Sequence, residues 1–249
     1  MPSDDLVSFV SPRLRCTKDF SLISAPKRLL IRFLPHLPTN LRVLDLSFSI
    51  VDDDMLSGIA DILINLQELR LKGCRSVRDG TELAQMAPRL RILDLSWSGI
   101  TFLPRDSSEQ FKELRNLSIS CAPLIAHDTI FACIATLPAT TRILDLSHLG
   151  IPPELLMKAF TVFKSENALL ERVDLRGNDM LTRSEVKRFR RICPNVTVAS
   201  DAVLESDEME DIRRFVGLWT GLLDRKLMDS PAFEEQQSEW ISQPVSVTS

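Results

Sequence analysis

The chain has 249 residues, a formal net charge of −4 and 44% hydrophobic residues. This length suits one or two domains with an ample core, and the negative balance argues against a general nucleic-acid binder or a binder of anionic membranes. No stretch approaches the roughly 20 apolar residues of a membrane helix, and MPSDD at the start is unlike a secretion signal. The five cysteines form no close pair, which is typical of reduced thiols, so we expect a cytoplasmic or nuclear protein.

Residues 1–40 are predicted to form an N-terminal segment that ends in a helical cap. The apolar residues near its end recur at helical spacing: Leu29, Leu30, Phe33, Leu34 and Leu37. A cap is expected here because a bare terminal repeat would expose its core.

Six segments from residue 41 onward share the pattern L-x-x-L-x-L-x-x-N/C. They start at Leu41, Leu66, Leu90, Leu114, Thr141 and Leu170, in steps of 24 to 29 residues. Strand side chains alternate between two faces, so Leu93 and Leu95 point together into a core while their neighbours point away. The pattern and its period are the leucine-rich-repeat signature. Stacked repeats bury a continuous core that no single repeat could bury alone.

Apolar residues at helical spacing follow these strands, for example Leu155, Leu156, Ala159, Phe160 and Phe163. Strands alternating with helices predict an α/β leucine-rich-repeat solenoid over residues 41–200, with a curved parallel sheet inside and helices outside. A capping-box pattern, Thr182-Arg-Ser-Glu185, starts the last of these helices. A capping helix is predicted over 201–229, and the polar residues 230–249 are predicted to be a disordered tail.

Helix-bearing repeats of this length resemble the ribonuclease-inhibitor-like class. The stretch LKGCRSVRD at residues 71–79 also resembles the cysteine-containing repeats of F-box leucine-rich proteins. That resemblance implies a substrate-recognition component of a ubiquitin ligase. No F-box-like segment precedes the repeats in this sequence, so such a component would act through a separate adaptor.

Three columns of residues cross the outer face of the predicted strands. The first alternates large and small side chains: Phe48, Gly73, Trp97, Cys121, His148 and Gly177. The second is apolar only in repeats one, three and five: Val43, Glu68, Ile92, Asn116, Ile143 and Arg172. The third is mainly acidic: Asp45, Arg70, Asp94, Ser118, Asp145 and Asp174. The large and apolar residues of the first two columns therefore recur every second repeat, about 50 residues along the chain and roughly 10 Å across the sheet.

Exposed aromatic residues beside small ones are typical of protein-binding hot spots. We predict that a protein or peptide binds the concave face through Phe48, Trp97, His148 and the apolar and charged residues of the other two columns. In the alternative interpretation, the large residues of the first column fold over the loops and belong to the core. Aspartate and serine are also common in this repeat, so the third column has a structural interpretation too.

No sequence motif indicates catalysis, a metal or a cofactor. The three histidines have no metal-ligand spacing, and there is no glycine-rich phosphate loop. Five basic residues between Arg183 and Arg191 could contact a phosphate backbone, but we favour a solvated helix face that acidic residues just downstream partly neutralise. We therefore expect an intracellular binding or scaffold module that is not an enzyme, needs no cofactor and has no membrane or nucleic-acid partner.

Overall fold

The computed structural model describes residues 17–164 and 169–202. Within them, eight strands form one parallel sheet in which each strand pairs with the next strand along the chain. The strands are β1 (Asp19–Ser21), β2 (Val43–Asp45), β3 (Glu68–Arg70), β4 (Ile92–Asp94), β5 (Asn116–Ser118), β6 (Ile143–Asp145), β7 (Arg172–Asp174) and β8 (Thr197–Ala199). The predicted register is confirmed, since Leu44, Leu69 and Leu93 are partners in the ladder.

Helices of 4 to 12 residues connect the strands. They are α1 (Lys27–Phe33), α2 (Asp53–Ser57), α3 (Ala60–Leu63), α4 (Gly80–Met86), α5 (Ser107–Gln110), α6 (His127–Ala135), α7 (Pro153–Lys164) and α8 (Arg183–Ile192). The predicted capping box is present: the Glu185 N–H donates to Thr182 Oγ1, and the Thr182 N–H donates to Glu185. The capping box satisfies N–H groups that the first helical turn leaves without partners.

The core lies between the sheet and the helices. Its central row is the middle residue of each strand, and Leu44, Leu69 and Leu144 in this row are fully buried. Aromatic rings fill the space at the C-terminal end, where Phe160 on α7 meets Phe189 on α8 at a centroid distance of 4.6 Å. Each repeat thus completes the core of its neighbours, as expected of a repeat array.

The sheet extends beyond the six predicted repeats by one strand at each end. Strand β1 pairs with β2, and helix α1, inside the predicted N-terminal cap, follows β1 as the other helices follow their strands. Strand β8 pairs with β7. Except for residues 201 and 202, the predicted capping helix and the predicted tail lie outside the described residues, so both stay predictions.

Several polar residues at the ninth position of the repeat hydrogen-bond to backbone carbonyls. Asn178 donates from Nδ2 to the carbonyls of Leu146 and Leu175, at 2.9 and 3.0 Å. Ser98 Oγ donates to Leu95 O at 2.6 Å, and Cys74 Sγ approaches Leu46 O at 3.1 Å. In these repeats a small hydroxyl or thiol group replaces the asparagine of the pattern as the buried donor, whereas Ala122 and Leu149 at the same position have no such group.

Thr141 is a local defect of the core. It occupies the position of the first leucine of the pattern, it is fully buried, and its hydroxyl has no hydrogen-bond partner among the described residues. Because an unpaired buried hydroxyl is destabilising, we expect Thr141→Val to raise the free energy of unfolding by about 1 kcal/mol in a urea melt. Thr140→Val is the matched control: it removes a hydroxyl that donates to Leu114 O at 2.8 Å and should lower stability. Loss of stability in Thr141→Val would contradict the prediction.

Candidate functional site: the open face of the sheet

The face of the sheet opposite the helices carries the first and third residue of each strand. In β2, β4 and β5 these two positions are half-buried, while the middle residue is buried. Ile143 in β6 is more exposed than its counterparts Val43 and Ile92. We call this surface the open face. It brings together the predicted columns that start at Val43 and Asp45.

The predicted aromatic column lies at the edge of the open face, three residues beyond each strand. We call Phe48, Gly73, Trp97, Cys121, His148 and Gly177 the loop column. Backbone hydrogen bonds extend the ladder to this point: the Phe48 N–H donates to Lys72 O at 2.6 Å, and the Trp97 N–H donates to Ser120 O at 2.9 Å. The backbone of the loop column therefore has the same register as the strands.

Every residue of the loop column has a left-handed backbone. The φ angle is 60° at Phe48, 60° at Trp97, 52° at Cys121 and 55° at His148, compared with 71° at Gly73. For residues with a side chain, this conformation costs about 1–2 kcal/mol and favours glycine. Large residues in the odd repeats therefore oppose local stability, and backbone strain of this kind clusters at functional sites.

The alternation of large and small residues has a steric cause. The ring of Phe48 lies over Gly73 of the next repeat, where a Cβ would overlap it, and the His148 ring lies over Gly177 in the same way. The ammonium group of Lys72 is 5.8 Å from the centroid of the Phe48 ring. A large residue in one repeat thus requires a small one in the next, which accounts for the doubled period in at least these two pairs.

The large residues of the loop column are at the surface. Phe48 is 52% exposed and Trp97 is 49% exposed, and His148 is also exposed. Three further apolar side chains that the sequence analysis did not select are exposed in the loops that follow: Ile50, Phe102 and Leu124. The side chains of Phe48, Trp97 and His148 are therefore at the surface and are not folded into the core.

The aspartates of the third column shape the turn that leads to the loop column. Asp45, Asp94 and Asp145 each accept the backbone N–H of the serine two residues later, at 2.9, 2.9 and 3.1 Å. This is the local hydrogen bond that makes aspartate favourable in turns. The recurring Asp-Leu-Ser triplet was the signal for this structural role, and it agrees with the structural interpretation of the column.

The charges of the third column are not evenly compensated. Arg70 lies 3.7 Å from Asp45 and also contacts Glu68, while Asp174 lies 2.6 Å from Arg176 and 3.9 Å from Arg172.

Asp94 and Asp145 form no ion pair with another described residue. Asp145 Oδ2 accepts a hydrogen bond from Ser118 Oγ at 3.1 Å, and Ser118 in turn hydrogen-bonds to Ser96. Asp94 has Arg70 as its neighbour in the ladder, but the Arg70 guanidinium pairs with Asp45 and Glu68 instead.

The ion pair at the C-terminal end gives a pH-dependent contribution to stability. The Arg176 guanidinium lowers the pKa of Asp174, so the pair stabilises the fold at neutral pH and its contribution is lost as pH falls below about 4. We expect Arg176→Gln to lower the free energy of unfolding at pH 7 and to lower it less at pH 3, where Asp174 is protonated. Urea melts at both values test this. Arg172→Gln, which removes the longer contact, should have a smaller effect. An equal loss of stability at both pH values in Arg176→Gln would mean that the Arg176–Asp174 pair is not the source of the pH dependence.

The overlap at Gly73 can be tested by substitution. Gly73→Ala places a methyl group against the Phe48 ring and in a left-handed conformation, so we expect a loss of about 1–2 kcal/mol. In a Phe48→Ala background the new methyl group meets no ring, so only the cost of the left-handed backbone should remain. Urea melts of the two single variants and the double variant measure the difference. An equal cost in both backgrounds would mean that the ring does not lie over Gly73.

The described residues contain no candidate metal cluster, and two of their buried thiols are held in the neutral form. In residues 17–164 and 169–202, no group of three or more histidine, cysteine or acidic residues could hold a metal ion. Burial raises the pKa of Cys74 to about 12 and that of Cys133 to about 11, so these thiols are not ionised at neutral pH. The arrangement of the open face suits binding through apolar contact and charge. No helix in these ranges is long and apolar enough to cross a membrane.

Comparison with known proteins agrees with this architecture. No family model and no curated protein matches the chain. Among solved structures, it is similar to a chain in the crystal structure of the Rad7 and Elc1 complex in yeast, with a TM-score of 0.61 and 18% identity. That match covers 82% of this chain and 56% of the other, so the chain spans little more than half the length of that neighbour.

A second similar structure is the leucine-rich-repeat-containing protein LegL7 from Legionella pneumophila. Its TM-score is 0.48 at 19% identity, and the match covers 80% of this chain and 71% of that one. The repeated leucine pattern and the parallel sheet with helices between its strands make the fold of the described residues a leucine-rich-repeat solenoid. This fold confirms the predicted α/β class with a parallel sheet and helices. Sequence identities of 18% and 19% to the two solved structures do not establish a subclass or an activity.

Proposed function

We propose that this solenoid is a protein-interaction module that holds a protein or peptide on its open face. The observation that carries the proposal is the strained and exposed loop column. Phe48, Trp97 and His148 have left-handed backbones that favour glycine, yet each presents a large side chain to solvent. Half-exposed aromatic side chains held by a rigid backbone resemble the anchors of protein-binding hot spots.

The two other columns support the same surface. Val43, Ile92 and Ile143 lie in the same repeats as the three anchors, and their side chains are half-buried or exposed. Because Asp94 and Asp145 have no ion pair within the described residues, a partner with a basic group would complete the charges of the open face. Arg70, Asp45 and Asp174 are already paired within the chain, so we assign the partner's basic group to Asp94 or Asp145 and not to these residues.

Affinity purification followed by mass spectrometry tests the proposal. The parent chain and Phe48→Ala, Trp97→Ala and His148→Ala are used as baits at matched levels. The control is Ile31→Ala on helix α1, which removes an apolar side chain that is 58% exposed and lies outside the open face. The expected result is a partner retained by the parent and the control and lost by the three variants. A partner set shared by all five baits would refute the proposal.

A role as a substrate-recognition component of a ubiquitin ligase is the second candidate. It is supported by the resemblance of residues 71–79 to F-box leucine-rich repeats and by the solved neighbour, which was crystallised in a complex of Rad7 with Elc1. Recovery of a cullin and an adaptor with the parent bait would favour this role. In either case we propose that the chain is not an enzyme and acts in the cytoplasm or nucleus.

A further inference from the structure

The spacing of the anchors on the open face indicates the conformation of a ligand that would contact all of them. Adjacent strands are about 4.8 Å apart. Phe48, Trp97 and His148 follow β2, β4 and β6, so the backbones of successive anchors are about 9.6 Å apart and those of the outer two about 19 Å apart. Phe48 and His148 lean in the same direction, each over the next repeat, which leaves their separation unchanged.

Three regular conformations can be compared with this period. In an extended strand, side chains on one face recur at about 6.7 or 13 Å, which misses 9.6 Å. In an α-helix, residues seven apart recur at about 10.5 Å, which accumulates a mismatch of about 2 Å over three anchors. In a polyproline II helix, every third residue recurs at about 9.3 Å on one side, and the mismatch stays below about 1 Å.

The charges of the open face add a second requirement. Asp94 belongs to the same repeat as Trp97, and Asp145 to the same repeat as His148. Neither has an ion-pair partner among the residues described, whereas Asp45 and Asp174 do. An arginine or lysine of the ligand at the middle of the site would stack on Trp97 and pair with Asp94.

We propose that the ligand is a proline-rich segment in the polyproline II conformation, with proline or aliphatic residues at three-residue intervals and one basic residue beside Trp97. This inference rests on the proposed function, since it specifies what the open face binds. Aromatic-lined surfaces bind such segments because the conformation is already formed before binding. The half-exposed rings of Phe48 and Trp97 provide a surface of this kind.

Phage display with random 16-residue peptides tests the sequence requirement. The full chain is immobilised, and phage that also bind Trp97→Ala are removed. The expected result is enrichment of peptides with proline or aliphatic residues every third position and one arginine or lysine. Enrichment of a seven-residue spacing, of peptides without a basic residue, or of nothing above the Trp97→Ala background would overturn the inference.

A synthetic peptide of the enriched sequence then tests the charge. Asp94→Asn keeps an oxygen that accepts the Ser96 N–H but removes the negative charge. Fluorescence anisotropy should show about tenfold weaker binding of the arginine peptide to this variant, and no change for the same peptide with glutamine in place of arginine. Equal losses for both peptides would overturn the assignment of the basic residue to Asp94.

The two proposals fail in different ways. Peptides that depend on Trp97 but have helical spacing would overturn the polyproline inference and leave the open face as the binding site. Captured proteins that are the same for the parent and for Trp97→Ala would overturn the proposed function, and the inference with it.

Discussion

Replacement of Leu95 by aspartate is expected to unfold the repeat array. Leu95 is fully buried in the core, and its N–H pairs with Ser118 O of the next repeat at 2.8 Å. A carboxylate at this position has no partner in an apolar surrounding, so we expect a loss of about 3–5 kcal/mol. The total stability of a domain is about 5–15 kcal/mol, so this single change removes a large part of it.

Circular dichroism and a urea melt measure the effect of Leu95→Asp. Leu95→Met is the matched control, because it conserves volume and apolarity and should cost less than about 1.5 kcal/mol. Leu95 belongs to the repeat of β4, in the middle of the array, so its replacement by aspartate should also weaken the contacts with the repeats on either side. An aspartate variant as stable as the parent would contradict the assignment of Leu95 to the core.

The sequence predicted the interior of the solenoid because the leucines have two independent constraints. Leucines must alternate within each strand and also recur from strand to strand, and only one pairing of the strands meets both conditions. The structure has this pairing, since Leu44, Leu69 and Leu93 are partners in the ladder. Where an amino acid departs from the pattern, as at Thr141, the position is still buried, because its neighbours fix it.

The two end strands were missed for a physical reason. Strand β1 has Phe20 where β2 has Leu44, and β8 has Val198 where β7 has Val173. Beyond β8, Ser200 occupies the position of Leu175. Phe20 and Ser200 thus stand where neighbouring repeats have leucine, which weakens the sequence pattern at β1 and β8.

The backbone of the loop column was not predicted either. Phenylalanine, tryptophan and histidine do not indicate a left-handed conformation, so neither Phe48 nor Trp97 gave a signal by itself. The glycines of the same column did contain that signal, because Gly73 and Gly177 occupy the same position of the repeat and have the same sign of φ. In a repeat protein, a glycine in one repeat indicates the backbone at that position in all of them.

Trp97→Ala is expected to abolish capture of the partner without unfolding the protein. Removal of a central anchor typically costs about 2–4 kcal/mol of binding, which is a roughly 30- to 1,000-fold loss of affinity. The backbone hydrogen bond from the Trp97 N–H to Ser120 O does not depend on the side chain. Half of the ring is already in solvent, so the urea midpoint should correspond to a change within about 0.5 kcal/mol.

Trp97→Gly separates the role of the ring from that of the backbone. Both variants lack the ring, so both should lose the partner equally in titration calorimetry. Glycine also relieves the left-handed strain at a φ of 60°, so Trp97→Gly should be more stable than Trp97→Ala by about 1 kcal/mol. Loss of several kcal/mol of stability in both variants would mean instead that the ring is needed for folding. A gain in stability together with a loss of binding would show that this position keeps a strained tryptophan because the partner requires it.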